Sequence, residues 1–396
     1  MLLRKLDRSE HGKTRELWEE VFTEDTGAFL DYYYYIKAKE NDIYVVEEDG
    51  RICSMLHLNP YRLTIEGTES PSAYIIAVST REPYRGRGYM GALLRTALND
   101  MYEKKMPFTF LMPAAEAIYT PYDFRFIYDQ DVGVPGLSEQ TEGECDHTDA
   151  ALWQSGEIAD FFDRYFAGRW QVCTVRDSEY YQTMIMEQQS ERGGVRLIKK
   201  NGSLCGVYAY AAEDVLEIRE PLCRPGYEKE FFRSVSELAD EVRRDGRCKA
   251  GTGGDPGGGA GSGVKIYACP ENIDCISREK KPVIMARIIC LPEFLKAMSV
   301  DEAREVDCSF AVIDPLIRQN SRVWRVSSGQ GETGLHVRET EDSEGVVPIA
   351  ELTELLFGRA EAEDIKDREN VVMTEHLAKE LAKITKITRV FLNEVV

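Results

Sequence analysis

The sequence predicts a mixed α/β protein laid out as successive units along one chain. Three observations carry that prediction. At 396 residues the chain is longer than one ordinary core accommodates. Apolar runs of strand length alternate with stretches of helical period. An acidic, polar stretch near 136–149, poor in large apolar residues, reads as a linker. The expected boundaries are 1–140, 150–284 and 285–396.

In the first unit Leu2 to Leu6 form a short strand, and helices follow near 10–22 and 27–37. Strands are expected at Ile43 to Val46, Ile52 to Leu58 and Tyr61 to Ile65. Ala73 to Val78 is nearly all apolar, the pattern of a central strand buried on both faces. Met90, Leu93, Leu94, Ala97, Leu98 and Met101 then recur at helical spacing, one buried stripe of a helix. Phe108 to Leu111 is the next strand, ended by Pro113, and a short helix at 115–119 and a strand at Phe126 to Tyr128 close the unit.

The second unit shows a helix at 158–166, strands at 195–198 and 206–210 around an Asn201-Gly202 turn, and a helix at 228–242. Residues 251–263 are nearly all small but lack the Gly-Lys-Ser/Thr ending of a phosphate loop, so they read as a flexible loop. The third unit has a helix at 291–298, β-like pieces at 308–313 and 322–326, and the apolar segment 349–358. The chain closes on Val390-Phe391-Leu392-Asn393-Glu394-Val395-Val396, apolar enough to predict docking rather than fraying.

Composition narrows the function classes. A formal net charge of -20 argues against nucleic acid, whose phosphates need clustered Lys and Arg. It suits a cationic substrate if carboxylates line a pocket, and otherwise describes a solvated acidic surface. Ten cysteines are scattered without a C-x-x-C pair or a zinc-spaced Cys/His cluster, which predicts no metal and a reducing, cytoplasmic setting. Charged residues follow Met1 at once, and no apolar run reaches the ~18 residues of a membrane span.

The chemistry concentrates between the strand at 73–78 and the helix from residue 89. Gly86-Arg87-Gly88-Tyr89-Met90-Gly91 spells G-x-G-x-x-G, but Ser79 to Arg85 separate it from its strand, and the next strand ends without the acid that a dinucleotide's ribose needs. The alternative is a pyrophosphate cradle. Glycines let the backbone approach phosphate, the free N–H groups of a helix start favour negative charge, and Arg85 and Arg87 add ionic contacts. A charged strand-to-helix turn without a ligand is the plainer possibility.

Ile76-Ala77-Val78, Pro83-Tyr84-Arg85-Gly86-Arg87-Gly88 and Leu93-Leu94 together resemble the acyl-CoA-binding motif of the GNAT superfamily. Met90 stands where that pattern usually has Gly or Ala, a departure shared by the Eis-type (enhanced intracellular survival) acetyltransferases. Ala115-Glu116-Ala117-Ile118-Tyr119, followed by Tyr122 and Phe124, is similar to that branch as well. The resemblance implies two tandem GNAT-like mixed-sheet domains, the second degenerate, followed by a sterol-carrier-like α+β domain.

It further implies N-acetyl transfer by direct attack of an amine on acetyl-CoA, with no metal. Ile76, Ala77 and Val78 would pair with the pantetheine arm, and Arg85 through Gly91 would hold the pyrophosphate. Tyr119 would assist the departing thiolate, and the terminal carboxylate of Val396 would be the base; a core aromatic and a sheet-completing strand are the respective alternatives. Phe22, Glu24, Asp25, Tyr33 and His57 fall where the family builds its acceptor pocket, although a histidine in an apolar strand is more often a core residue. The implied acceptor is a small cationic amine, polyamine or aminoglycoside-like, and the implied assembly a homo-oligomer, as in the family's hexamers. A lysine or N-terminal protein acetyltransferase and a non-catalytic acyl-CoA or lipid binder are the competing functions.

Overall fold

The computed structural model describes residues 1–137, 144–212, 215–247 and 263–394. Strands β1 (Leu2–Lys5), β2 (Asp42–Glu48), β3 (Arg51–Ile65), β4 (Thr68–Thr80), β5 (Phe108–Leu111) and β6 (Arg125–Pro135) build the first unit with helices α1 (Arg15–Val21), α2 (Gly27–Tyr35), α3 (Tyr89–Glu103) and α4 (Glu116–Tyr119). From β1 to β4 the neighbours are antiparallel, and β5 then joins β4 in parallel. The stripe of α3 is buried as its period predicts, with Leu93, Leu94, Ala97 and Leu98 at 0% exposure. Each such leucine contributes roughly 1.5–3 kcal/mol of burial.

β3 is one strand where the sequence suggested two. It pairs with β2 as far as Leu58 and, on the same edge, with a later strand from Leu63 onward. Pro60 falls in the gap between those partners, where its missing N–H breaks no ladder.

The second unit contains β7 (Asp146–Asp149), β8 (Val172–Thr174), β9 (Gly194–Lys200), β10 (Ser203–Ala212), β11 (Leu216–Cys223), β12 (Val264–Tyr267) and β13 (Cys275–Ile288), with α5 (Ser155–Tyr165), α6 (Ser178–Ser190) and α7 (Glu228–Arg244). One continuous sheet joins the two units in the order β1-β2-β3-β4-β5-β13-β6-β12-β11-β10-β9-β7. β13 thus enters the first unit between β5 and β6, and it crosses the boundary expected at 284/285. Its first half is charged and exposed, whereas Ile284, Met285, Ala286 and Ile288 are fully buried. Such a split strand has no single hydropathy signature, which is why the sequence did not reveal it. β7 lies in the stretch expected to be linker and pairs with β9.

The third unit has a separate sheet, β16-β15-β14-β17-β18, made of β14 (Asp307–Ile313), β15 (Val323–Ser327), β16 (His336–Glu339), β17 (Gly345–Pro348) and β18 (Val372–Met373). Helices α8 (Leu291–Lys296), α9 (Ile349–Leu356), α10 (Ala362–Lys366) and α11 (Glu375–Leu381) belong to it, so the apolar segment at 349–358 is mainly helix. The fully buried Arg287 ties it to the first unit, donating to the Tyr122 carbonyl at 3.0 Å and pairing with Asp314 at 2.5 Å. The chain then leaves this sheet, and β19 (Val390–Phe391) pairs in parallel with β8 of the second unit. Among the described residues no helix is long and apolar enough to cross a membrane, and no three His, Cys, Asp or Glu side chains group as a metal site.

Candidate active site

The site begins with a bulge. Met55 and His57 of β3 pair with Ser79 and Ile76 of β4, so two steps on one strand match three on the other. Ala77 takes the strain with φ 52°. A bulge leaves its extra residue outside the ladder, which frees a backbone N–H on β4. β4 and β5 pair at Tyr74 and Phe110; β5 then ends at Leu111 while β4 continues to Thr80. The two parallel strands therefore part at the bulge, and an extended ligand can lie along the exposed edge of β4.

The turn that follows supplies charge. Gly86 and Gly88 have φ of 76° and 81°, and a Cβ on either would meet nothing within 4 Å. Backbone conformation, not crowding, demands glycine at both, and the space above them is open. Gly88 caps α3 without a side-chain hydrogen bond, and Ala92 N–H is bonded back to its carbonyl at 3.1 Å. The N–H groups of Tyr89, Met90 and Gly91 precede that first helical bond and point out of the helix end, where the dipole favours an anion. Gly91 is glycine for a different reason: a Cβ there would come within 2.9 Å of the Tyr122 hydroxyl. Arg85 and Arg87 are exposed beside the turn, Arg87 lying 4.8 Å above the Tyr84 ring. Tyr89 is buried and donates to Glu48, so only its backbone faces the turn.

These features fit a coenzyme A pyrophosphate and arm, and comparison with known proteins agrees. Residues 3–127 match the acetyltransferase (GNAT) domain model, and residues 291–394 match the sterol carrier protein domain model. The first unit is thus a GNAT acetyltransferase domain. No curated protein matches it in sequence. A probable N-acyltransferase from Enterococcus faecalis superposes with a TM-score of 0.78 at 16% identity, covering 100% of this chain and 99% of that one. A GCN5-related N-acetyltransferase from Anabaena variabilis gives 0.72 at 16% identity, covering 99% of each chain. Eis1 from Mycobacterium abscessus gives 0.68 at 13% identity over 100% of both chains, so the three-unit fold is Eis-like.

In this acetyltransferase Tyr119 ends α4, just beyond β5, and is 8% exposed, with its ring edge-on to Phe124 at 5.8 Å. Burial pushes its phenol up to about 12, so at neutral pH it keeps its proton and has a hydroxyl hydrogen to donate.

A cavity of about 660 Å³ opens between the acetyltransferase domain, the second unit and the C-terminal tail. Met112, just past the end of β5, brings it to the strand fork, and Pro71 and Ser72 line it near the start of β5. Lys37, Tyr61, Tyr180, Met184 and Glu187 line its depth. Glu187 accepts from Tyr32 at 3.0 Å, and burial pushes its carboxyl up to about 7. Lys37 donates to Tyr61 at 2.7 Å, and burial lowers its pKa.

The tail is held in the wall of this cavity. Tyr128 and Gln130 each donate to Asn393 at 3.0 Å, and Phe391 stacks on Trp170 at 4.2 Å. Tyr180 donates to Glu394 at 3.1 Å. Arg176, wholly buried against the rings of Tyr180 and Phe391, bonds Glu220 at 3.0 Å and lies 3.7 Å from Glu394. Two carboxylates thus share one guanidinium. Burial raises the Glu394 carboxyl, and its Oε2 is buried without a partner. No sequence periodicity pointed to Glu187, Glu220 or Arg176; they come from a unit that lacks a recognisable motif.

The acceptor residues named from sequence lie elsewhere. Tyr33 and His57 are both 0% exposed, joined at 3.1 Å in a core network with Asn41 and Asn59 and packed on Trp18. Burial lowers the His57 pKa to about 3, so it is neutral. Asp25 accepts from Trp18 at 2.6 Å, Phe22 packs 5.6 Å from the Trp18 ring and Glu24 is exposed. All five stand outside the lining of the cavity; Asn41, which donates to Tyr33 at 3.0 Å, belongs to it. Val396 and residues 251–262 lie outside the described residues.

Proposed function

We propose that the chain transfers the acetyl group of acetyl-CoA to a primary amine of a small cationic acceptor. The observation that carries this reading is the cavity at the strand fork, with Glu187, Glu220 and Glu394 against Lys37, Arg176 and Arg219 in and behind its wall. Acetyl-CoA supplies the activated thioester. The backbone N–H groups of Gly86 through Gly91, with Arg85 and Arg87, hold its pyrophosphate. The edge of β4 from Ile76 to Val78 pairs with its arm, and the N–H freed at the bulge donates to the reacting carbonyl oxygen.

Tyr119 donates a hydrogen bond to the departing sulfur. A thiol titrates near ~8.5, well below the buried phenol, so complete proton transfer from Tyr119 is uphill and hydrogen bonding is its role. The terminal carboxylate of Val396 takes the proton of the attacking amine. The route of the tail through Asn393 and Glu394 along the cavity wall supports that assignment. Seven carboxylates in the cavity lining (Glu40, Asp177, Glu179, Glu187, Glu217, Glu220, Glu394) against Lys37, Arg62 and Arg219 favour a cationic amine, and we expect a cytoplasmic homo-oligomer, as in the family's hexamers.

Acetyl-CoA thiol release across a panel of polyamines, aminoglycosides, arylalkylamines and lysine peptides tests the reading. Release confined to small cationic amines is expected. Release with peptides alone transfers the function to proteins, and binding of acetyl-CoA without release on any amine leaves a non-catalytic binder. Deleting Val395 and Val396 is expected to abolish turnover at unchanged thermal stability; undiminished turnover removes the terminal carboxylate from the mechanism.

A further inference from the structure

Two cysteines meet where the sheets of the first and second units join. Cys269 follows β12 and Cys275 opens β13, and both strands pair with β6. Their Sγ atoms are 3.5 Å apart. Gly133 of β6 makes the room, since a Cβ there would come within 2.5 Å of Cys275 Sγ and 2.9 Å of Cys269 Sγ. The loop between the cysteines is held in shape by Arg278. Its guanidinium donates to the carbonyls of Cys269 at 2.8 Å, Pro270 at 2.9 Å and Ile273 at 2.8 Å. Cys269 N–H is also bonded to the Asp131 carbonyl at 3.0 Å. The acetyl-transfer site uses neither thiol.

We propose that Cys269 and Cys275 are a reversible modification site, closing to an intramolecular disulfide when the protein meets a low-molecular-weight disulfide such as oxidised glutathione. Cys275 is half-buried and Cys269 only 3% exposed, so the two sulfurs have different roles. The Cys275 thiolate attacks one sulfur of the oxidant, forming a mixed disulfide and releasing one glutathione thiolate. The Cys269 thiolate then attacks the Cys275 sulfur, and the second glutathione thiolate leaves. Two protein thiols are oxidised, one small disulfide is reduced to two thiols, and the two thiol protons pass to the leaving groups. Burial raises the Cys269 thiol, so little thiolate is present and its attack rests on the 3.5 Å proximity of the Cys275 sulfur. A disulfide bond is about 2.05 Å long, so the sulfurs must approach by roughly 1.5 Å, a movement within reach of side-chain rotation. Tyr267, two residues before Cys269, lines the acceptor cavity, so the bond would form beside the substrate wall.

The test treats the reduced full chain with oxidised glutathione, alkylates the remaining thiols and measures intact mass and peptide links. Loss of about 2 Da with two fewer alkylations, mapped to a Cys269–Cys275 link and reversed by dithiothreitol, is expected. Cys269→Ser is expected to stop at one glutathione adduct on Cys275, and Cys275→Ser to leave Cys269 alkylatable. A lasting glutathione adduct on Cys275 in the unmutated protein, or both thiols staying fully alkylatable, overturns the proposal.

Discussion

The first two units are built on the same plan, and they differ at the one place where a phosphate would sit. β10 and β11 repeat the bulge of β3 and β4: Val207 and Ala209 pair with Leu222 and Arg219, again two steps against three. Glu220 occupies the position of Ala77 and has nearly the same strained φ, 48° against 52°. Each bulged strand is followed by a turn, a helix and a parallel strand. The first turn spans Arg81–Gly88 and ends in an open glycine with no acid in the first helical turn. The second, Arg224–Tyr227, is shorter, and Gly226 N–H already donates to Glu228 at 3.0 Å. Glu228 and Glu230 then place carboxylates in the first turn of α7. One helix start is ready for an anion, and the other carries its own. The second unit instead places its bulge residue, Glu220, in the wall of the cavity.

The largest effect should come from giving the first unit the chemistry of the second. Gly88→Asp sets a carboxylate at the start of α3 in a backbone that disfavours a side chain. Acetyl-CoA affinity measured by calorimetry should fall at least ~100-fold, about 2.7 kcal/mol. Near-unchanged affinity would show that the turn is not the phosphate site.

On the proposed mechanism, Tyr119→Phe removes a donor to the reacting sulfur that plays no part in binding. Steady-state kinetics should show kcat reduced by roughly 10- to 100-fold with the acetyl-CoA KM within a factor of a few. An equal loss in kcat/KM caused only by KM would make Tyr119 a packing residue.

A smaller effect tests the acceptor wall. Glu187 titrates near 7 in the folded protein, above the ~4.3 of a free glutamate. Between those values the folded state holds a proton that the unfolded state has lost, so Glu187 erodes stability as pH rises through that window. Glu187→Gln should therefore raise Tm relative to the unmutated protein at pH 8 and change it little at pH 4. The same substitution should raise the acceptor KM above pH 7, where the carboxylate is ionised. A Tm difference of equal size at both pH values would contradict the assignment. Smallest of all, Glu228→Ala opens the second helix start, but the shortened turn has a single arginine, Arg224, stacked 4.0 Å over the Tyr165 ring, and no paired glycine. Acetyl-CoA stoichiometry should stay unchanged.

The glycine turn and the helix after it were legible because their determinants are local. Gly86 and Gly88 are dictated by backbone angles, and the α3 stripe by helical period, so short windows of sequence suffice. The proposed acceptor cavity is assembled from the segment after α2, β3, α6, β11 and the tail, far apart in sequence, and no window contains it. The four consecutive tyrosines illustrate the limit. Tyr32 and Tyr33 point inward and Tyr35 is 68% exposed, as one helix face requires. Yet Tyr33 and His57 solve a packing and hydrogen-bond problem around Trp18, and Tyr32 reaches Glu187 only because α6 packs on α2. The docking of the tail was legible from its hydrophobicity, but its partner strand β8, three residues long, was not.

The central claim is that one unit holds acetyl-CoA and the other, despite the same bulge, does not. Isothermal titration of the full chain with acetyl-CoA, run in parallel on the unmutated protein and Gly88→Asp, tests it most directly. The account predicts one site per chain, lost in the variant. Two sites per chain, or one site that survives the substitution, would contradict it.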